Sequence, residues 1–213
     1  MGKGHLEIKS LEYGLLLFSK KLLENKVEHF IFFGTLLGIV RGGQPIDGDD
    51  DIDFYVNKQN YDLICDIVLT LGFDIDFSVY PNHTGDIIQA NGFIDGIEIR
   101  VDFYFYDALS DENFILERWN FTAEPNNVDN LLKVPKPLIF PLANTNYQGH
   151  EIYIPQFPEI ICEFLYGINW KTPQKKGVDY KTIISGGRPL RISSKGMRPI
   201  SSFFDRKYTG VIP

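Results

Sequence analysis

The residues best suited to chemistry lie in the run Gly48-Asp49-Asp50-Asp51-Ile52-Asp53-Phe54. Side chains alternate along an extended strand, so this spacing predicts Asp49, Asp51 and Asp53 on one face, with Asp50 and Ile52 on the other. Neighbouring carboxylates on one face repel unless a cation lies between them. Hard oxygen donors so spaced suit Mg2+ or Mn2+, which keep several waters and also take substrate phosphate oxygens. A short acidic run is commonly a solvated loop, but the apolar frame of Ile52, Phe54 and Val56 favours a metal site. Phosphoryl chemistry usually needs a third carboxylate. Arg100-Val101-Asp102-Phe103-Tyr104-Phe105-Tyr106 places one Asp inside an otherwise hydrophobic strand. Burying it alone costs on the order of several kcal/mol unless it is paired or metal-bound. Asp102 is therefore expected as a ligand and candidate base, the bland alternative being a salt bridge to Arg100 or Arg41. Asp74-Ile75-Asp76 repeats the spacing without a glycine-rich lead-in and reads as solvent-facing strand.

A second feature precedes the acidic run. Gly34-Thr35 follows the apolar stretch Phe30-Ile31-Phe32-Phe33, where backbone N–H groups next to a helix start could approach a phosphate closely. Arg41, a few residues on, could clamp phosphate oxygens, or simply lie at the surface.

The elements that must position these groups follow from periodicity. Leu11, Leu15, Phe18 and Leu22 predict an amphipathic helix over residues 6–26. Strands are expected over residues 27–33, 51–56, 73–80, 86–91 and 97–106, with a helix start at 36–40 and a helix over 61–71 capped by Gly72. Asn82-His83 and Asp95-Gly96 supply turns between strands. Pro135, Pro137 and Pro141 mark an irregular connection, residues 148–154 a hairpin arm, and Pro158 opens a helix through residue 165. One helix followed by a strand-rich stretch points to an α+β fold with a mixed sheet. We expect one catalytic domain over residues 1–173 and an irregular extension over 174–213, mobile or ordered by ligand.

The 213 residues suit a single core without disulfides, since 44% are hydrophobic and 14% aromatic. The formal charge of -7 argues against a nucleic-acid-coating protein, which needs clustered Lys and Arg. Cys65 and Cys162 lack ligand spacing and read as buried thiols. His29, His83 and His150 read as turn or edge residues. Tyr104, Tyr106, Trp119 and Tyr147 read mainly as packing, with stacking on a sugar, a cytosine or a quaternary ammonium as the alternative for some. Lys171, Lys175 and Lys176 read as a solvated charge run, with contact to donor or acceptor phosphates as the alternative. Residues 14–18 are too short an apolar run to span a bilayer, so the chain is expected in the cytoplasm. Peripheral contact with the inner face of a membrane is compatible with that expectation.

The string Phe33-Gly34-Thr35-Leu36-Leu37-Gly38-Ile39-Val40-Arg41, followed by Asp49-Asp50-Asp51-Ile52-Asp53, resembles the LicD family of phosphotransferases, which includes fukutin and fukutin-related protein. Ile154-Pro155 and Tyr166-Gly167-x-x-Trp170-x-x-Pro173 resemble its closing segment, so the likeness extends over about residues 6–173. Pro45-Ile46-Asp47-Gly48 stands where the family usually has Ile-Pro-Trp, and the resemblance does not extend to the tail after Pro173. The resemblance implies a nucleotidyltransferase-type fold. It also implies metal-dependent transfer of phosphocholine or a polyol phosphate from a CDP-linked donor to a hydroxyl of a glycan or glycolipid acceptor, with release of CMP. Asp51 and Asp53 match the family's metal pair and Asp102 its later strand Asp. Gly34, Thr35, Gly38, Arg41 and Asp49 are the implied substrate-binding set. The rival readings are a nucleotidyltransferase that releases pyrophosphate and a non-catalytic nucleotide- or glycan-binding module.

Overall fold

A computed structural model describes residues 5–76, 87–109, 112–117, 131–173, 191–193 and 196–197. The expected strand residues 77–80, the Asn82-His83 turn, Trp119, Lys175 and Lys176 lie outside them, as does most of the expected extension.

The chain is α+β. Helix α1 (Ile8–Glu24) leads into β1 (His29–Ile31), α2 (Phe33–Gly42), β2 (Ile52–Asn57), a single 3-10 turn and α3 (Tyr61–Thr70). Strands β3 (Asp74–Ile75), β4 (Ile87–Ile94) and β5 (Ile97–Asp107) follow, then β6 (Phe114–Glu117) and β7 (Leu131–Pro135). The remaining elements are α4 (Lys136–Ile139), the hairpin β8 (Ala143–Tyr147) and β9 (His150–Ile154), α5 (Pro158–Tyr166), β10 (Arg191–Ser193) and β11 (Gly196–Met197). Five strands in the order β1-β2-β5-β4-β3 make a mixed sheet in which β2 and β5 run parallel and the other neighbours antiparallel. β6 and β7, and the backbone of β10 and β11, continue it from the end of β5.

Each strand of this sheet buries its two faces differently. On one face Ile52, Phe54, Val56, Ile99, Val101, Phe103 and Phe105 are almost fully buried beneath α1, whose stripe Leu11, Leu15, Phe18 and Leu22 has no exposure. Gly14 lets that helix approach closely, because a Cβ there would stand 2.8 Å from Ile99 Cγ2. Phe18 meets Phe73 and Phe103 edge-on, at 5.2 and 5.6 Å between centroids. On the opposite face an aromatic group of Phe30, Phe32, Phe33, Tyr55, Tyr104, Tyr106 and Phe140 interlocks, with Phe32 stacked on Tyr55 at 4.3 Å. Helix α5 packs against both α2 and α4 at that end. Tyr104, Tyr106 and Tyr147 are buried, and the Tyr106 and Tyr147 hydroxyls donate to Glu28 and Glu12.

Several expectations shift in detail. The strand expected through residue 33 stops at Ile31, because Phe33 turns to φ +42 and already belongs to α2. The proline-marked connection contains one helical turn, α4, which starts at Lys136 with Pro137 in its first turn, where a missing N–H does no harm. Both cysteines are free thiols, and burial pushes Cys162 up to about 12. Lys171 pairs with Glu159 at 3.4 Å. Among the described residues no helix is long and apolar enough to cross a membrane.

His29 lies on an edge strand, as expected of it, yet it is only 1% exposed and packs edge-on against Phe54 and Tyr153. Its Nδ1 bonds the Val27 carbonyl, and Nε2 has no hydrogen-bond partner. Burial lowers its pKa from 6.5 to about 4. Above pH 6.5 both folded and unfolded chains carry a neutral ring. Below it the unfolded chain takes up a proton that the folded chain refuses until about pH 4, so stability falls as pH falls across that window. At about 1.4 kcal/mol per unit, the loss reaches roughly 3 kcal/mol. His29→Gln, which cannot titrate, should lose less stability than wild type between pH 7 and pH 4.5 in denaturant melts; parallel pH profiles would refute the assignment.

Candidate active site

The parallel pairing of β2 with β5 sets Asp53 directly beside Asp102. Residues paired across neighbouring strands share a face, so both carboxylates enter the aromatic side of the sheet, at the edge of its packed region. Asp53 is 5% exposed and Asp102 2%. Two carboxylates so placed cannot both carry charge cheaply. Burial, and then the charges of Asp51, Asp49 and Asp102, hold the Asp53 carboxyl well above the ordinary carboxylate range.

Asp53 is fixed by the start of α2. The Thr35 N–H donates to Asp53 Oδ2 at 3.3 Å, and the Asp53 N–H donates to Thr35 Oγ1 at 2.8 Å. Phe32, at the helix N-cap, provides no capping side chain, so a carboxylate from the neighbouring strand satisfies an N-terminal amide and meets the positive end of the helix dipole. The Thr35 amide, expected to face a phosphate, is thus spent on Asp53. Gly34 is the point of closest approach: a Cβ there would stand 2.7 Å from Asp49 Oδ2 and 3.4 Å from Asp53 Oδ2. Gly38, one turn on, faces the backbone of Gln44 and Ile46, with a Cβ only 2.7 Å from the Gln44 carbonyl. These two glycines let the acidic loop lie flat on α2.

That loop differs from the extended strand that alternation predicted. β2 begins at Ile52, and Gly48 takes φ +78, so residues 49–51 curl ahead of the ladder. Asp50 therefore does not point away. Carboxylate oxygens of Asp49, Asp50 and Asp51 all come within 4.8 Å of one another, all three residues partly buried. The Leu6 N–H donates to the Asp49 carbonyl at 2.9 Å, and His5 Nδ1 bonds the Gly48 carbonyl, so the segment before α1 pins the loop from outside. Arg41 sits in the last turn of α2, roughly 10 Å along the axis from Gly34 at 1.5 Å per residue. Its charge is felt at Cys162 on α5.

Sequence reasoning missed Gln89. Its Nε2 donates to Asp102 Oδ2 at 2.5 Å, orienting that carboxylate from the adjacent strand. The signal was present: a two-residue Asp95-Gly96 turn sets Ile94 opposite Ile97, and counting back along both strands puts Gln89 opposite Asp102. Arg100, one candidate partner for Asp102, is held by Glu98, with Nε at 2.9 Å and Nη2 at 2.6 Å from Glu98 Oε1. Asp74 and Asp76 are exposed, as expected of them.

The donor set fits a divalent cation. Asp49, Asp50, Asp51, Asp53 and Asp102 supply only oxygen ligands, and their mutual repulsion would be relieved by positive charge.

Comparison with known proteins places this arrangement. A search of curated proteins returned no match. Among solved structures the chain is similar to the lincosamide antibiotic adenylyltransferase LnuA in its lincomycin-bound form. The identity is 16% and the TM-score 0.49, with 68% of this chain and 80% of that chain covered. The family model described as "LicD/FKTN/FKRP, nucleotidyltransferase domain" matches residues 26–156, well over half of the chain, from β1 past β9. With the glycine-rich start of α2, the acidic loop and both buried strand aspartates inside that match, the chain belongs to the LicD/FKTN/FKRP family.

Proposed function

We propose that the chain transfers a phospho-alcohol, phosphocholine or a polyol phosphate, from a CDP-linked donor to a hydroxyl of a glycan acceptor and releases CMP. Family membership supports phosphotransfer to glycans. The observation that carries the finer reading is the in-register pair Asp53–Asp102, buried beside the clustered carboxylates of Asp49, Asp50 and Asp51. Uncompensated, such a group destabilises the fold; it makes sense as a site completed by a cation and a diphosphate.

In this reading Asp51, Asp53 and Asp102 hold Mg2+ or Mn2+. The ion, when bound, would supply positive charge to the diphosphate and polarise the phosphoryl group whose phosphorus is attacked. The chain's own groups set the geometry. Asp53 keeps one orientation because the Thr35 hydroxyl and amide grip the residue from both sides. Gly34 leaves room for Asp49 to close over that pair. Asp102, with Oδ2 held by Gln89, accepts the proton of the acceptor hydroxyl as its oxygen bonds the β-phosphorus. The bond from that phosphorus to the bridging oxygen breaks, and CMP leaves with its electron pair. Positioning and electrostatics supply most of the rate enhancement in such transfers.

Two measurements test this. Calorimetric titration of CDP-choline, CDP-ribitol and CDP-glycerol should show one donor binding only with Mg2+, and the Asp51→Ala/Asp53→Ala double variant should lose that binding. Metal-independent binding, or binding kept by the variant, would favour a non-catalytic module; pyrophosphate in place of CMP on turnover would favour nucleotidyl transfer. Gly34→Ala forces a methyl to within 2.7 Å of Asp49 Oδ2. It should weaken Mg2+-dependent donor binding by about tenfold or more, equivalent to about 1.4 kcal/mol. Unchanged affinity would show that Asp49 and α2 need not touch for the site to form.

A further inference from the structure

Past Asp102 the aromatic rings among the described residues give way on this face of the sheet to polar side chains. Opposed residues of an antiparallel ladder share a face, and the β4–β5 register sets Gln89 beside Asp102, Asn91 beside Arg100 and Phe93 beside Glu98. A groove of about 270 Å3 opens there, lined by Asp76, Gln89, Ala90, Asn91, Glu98 and Arg100. Its inner end is Gln89, already bonded to Asp102, so it adjoins the buried carboxylates. At its outer end Phe93, on the same strand face, is 69% exposed.

The lining selects a ligand chemistry. Asp76 and Glu98 accept hydrogen bonds, Arg100 donates, and the Gln89 and Asn91 amides do both. Arg100 is braced by Glu98, so its guanidinium presents a fixed edge. A phosphate-rich ligand would be repelled, because Asp76 and Glu98 outnumber Arg100, itself paired with Glu98. Among the described residues the groove lining is polar apart from Ala90, which gives a flat apolar ligand little purchase. A neutral polyhydroxylated ring matches: its hydroxyls alternate donor and acceptor, and its C–H face suits an exposed aromatic such as Phe93.

We propose that this groove is the acceptor subsite, in which a sugar or polyol lies across β4 and β5 with one hydroxyl at Asp102. The inference rests on the phosphotransfer reading above for its role, and on the groove alone for its ligand class. Gln89 is a positioning residue in it, shared between acceptor and base. Asn91 and Phe93 touch only the acceptor.

The test uses amide-resolved NMR of the full chain with glucose, galactose, N-acetylglucosamine, N-acetylgalactosamine and ribitol, each titrated without donor. At least one should shift amides of residues 89–93 and 98–100, and both Asn91→Ala and Phe93→Ala should weaken it by about tenfold. CDP-alcohol affinity, measured calorimetrically, should be the same in both variants as in wild type. Shifts confined to other elements, no shift with any of the five, or unchanged saccharide affinity in both variants overturns the subsite. If no CDP-alcohol binds while saccharides still shift β4 and β5, the phosphotransfer reading falls and the carbohydrate groove stands. If donors bind and these amides stay still, the groove falls alone.

Discussion

The structure turns on the reciprocal grip between Asp53 and Thr35. A carboxylate pressed between other carboxylates and an aromatic core is a liability for folding, and here it also serves as the missing cap of α2. Hydrogen bonds to the charged form and the helix dipole lower its energy, while burial and three neighbouring aspartates raise it. The raising effects win, so Asp53 holds its proton well above the ordinary carboxylate range. Much else is arranged around this contact. α2 must start at Phe33, whose φ of +42 is an uncommon conformation for a bulky residue, so that the Thr35 amide meets the β2 carboxylate.

The sheet supports this by using its two faces unequally. The face under α1 is continuous hydrocarbon, as fully covered strands are. The other face changes character along its width: aromatic rings around Tyr55 and Tyr106, carboxylates at Asp53 and Asp102, then polar side chains on β4. The rings form a stiff wall on one side of the carboxylates and exclude water from it, which strengthens any charge interaction made there.

Much of this is legible in the sequence, in proportion to how local the cause is. The α1 stripe at Leu11, Leu15, Phe18 and Leu22, the Gly72 turn and the Asp95-Gly96 hairpin depend on neighbours a few residues away, and each appears where its pattern puts it. The acidic loop was misread because strand periodicity was extended through residues whose path is set by Gly48 at φ +78 and by His5 and Leu6, over 40 residues earlier in the chain. The burial of His29 at its sheet edge was illegible for a similar reason: nothing near it in sequence announces that Tyr153, from the β8–β9 hairpin, will cover it. The aspartates themselves stood out because apolar frames made them anomalous, yet only the parallel register shows that Asp53 and Asp102 are immediate neighbours.

That register also explains why β4 matters to a site centred on β2 and β5. Asp102 takes its orientation from Gln89, so a slip of β4 by one residue would turn Gln89 to the opposite face and release the carboxylate. Two features oppose such a slip. The Asp95-Gly96 turn, with φ of +51 and +79, fits a two-residue connection between right-twisted strands and leaves no slack in the hairpin. Gly92 lies so close to the Phe73 ring, 2.8 Å from Cγ for an added Cβ, that a side chain brought there by slippage would collide with it. Phe73 is in turn fixed by Phe18 of α1. The orientation of Asp102 is thus maintained by a chain of contacts running from the hydrophobic face of the sheet, through a glycine, to the polar face.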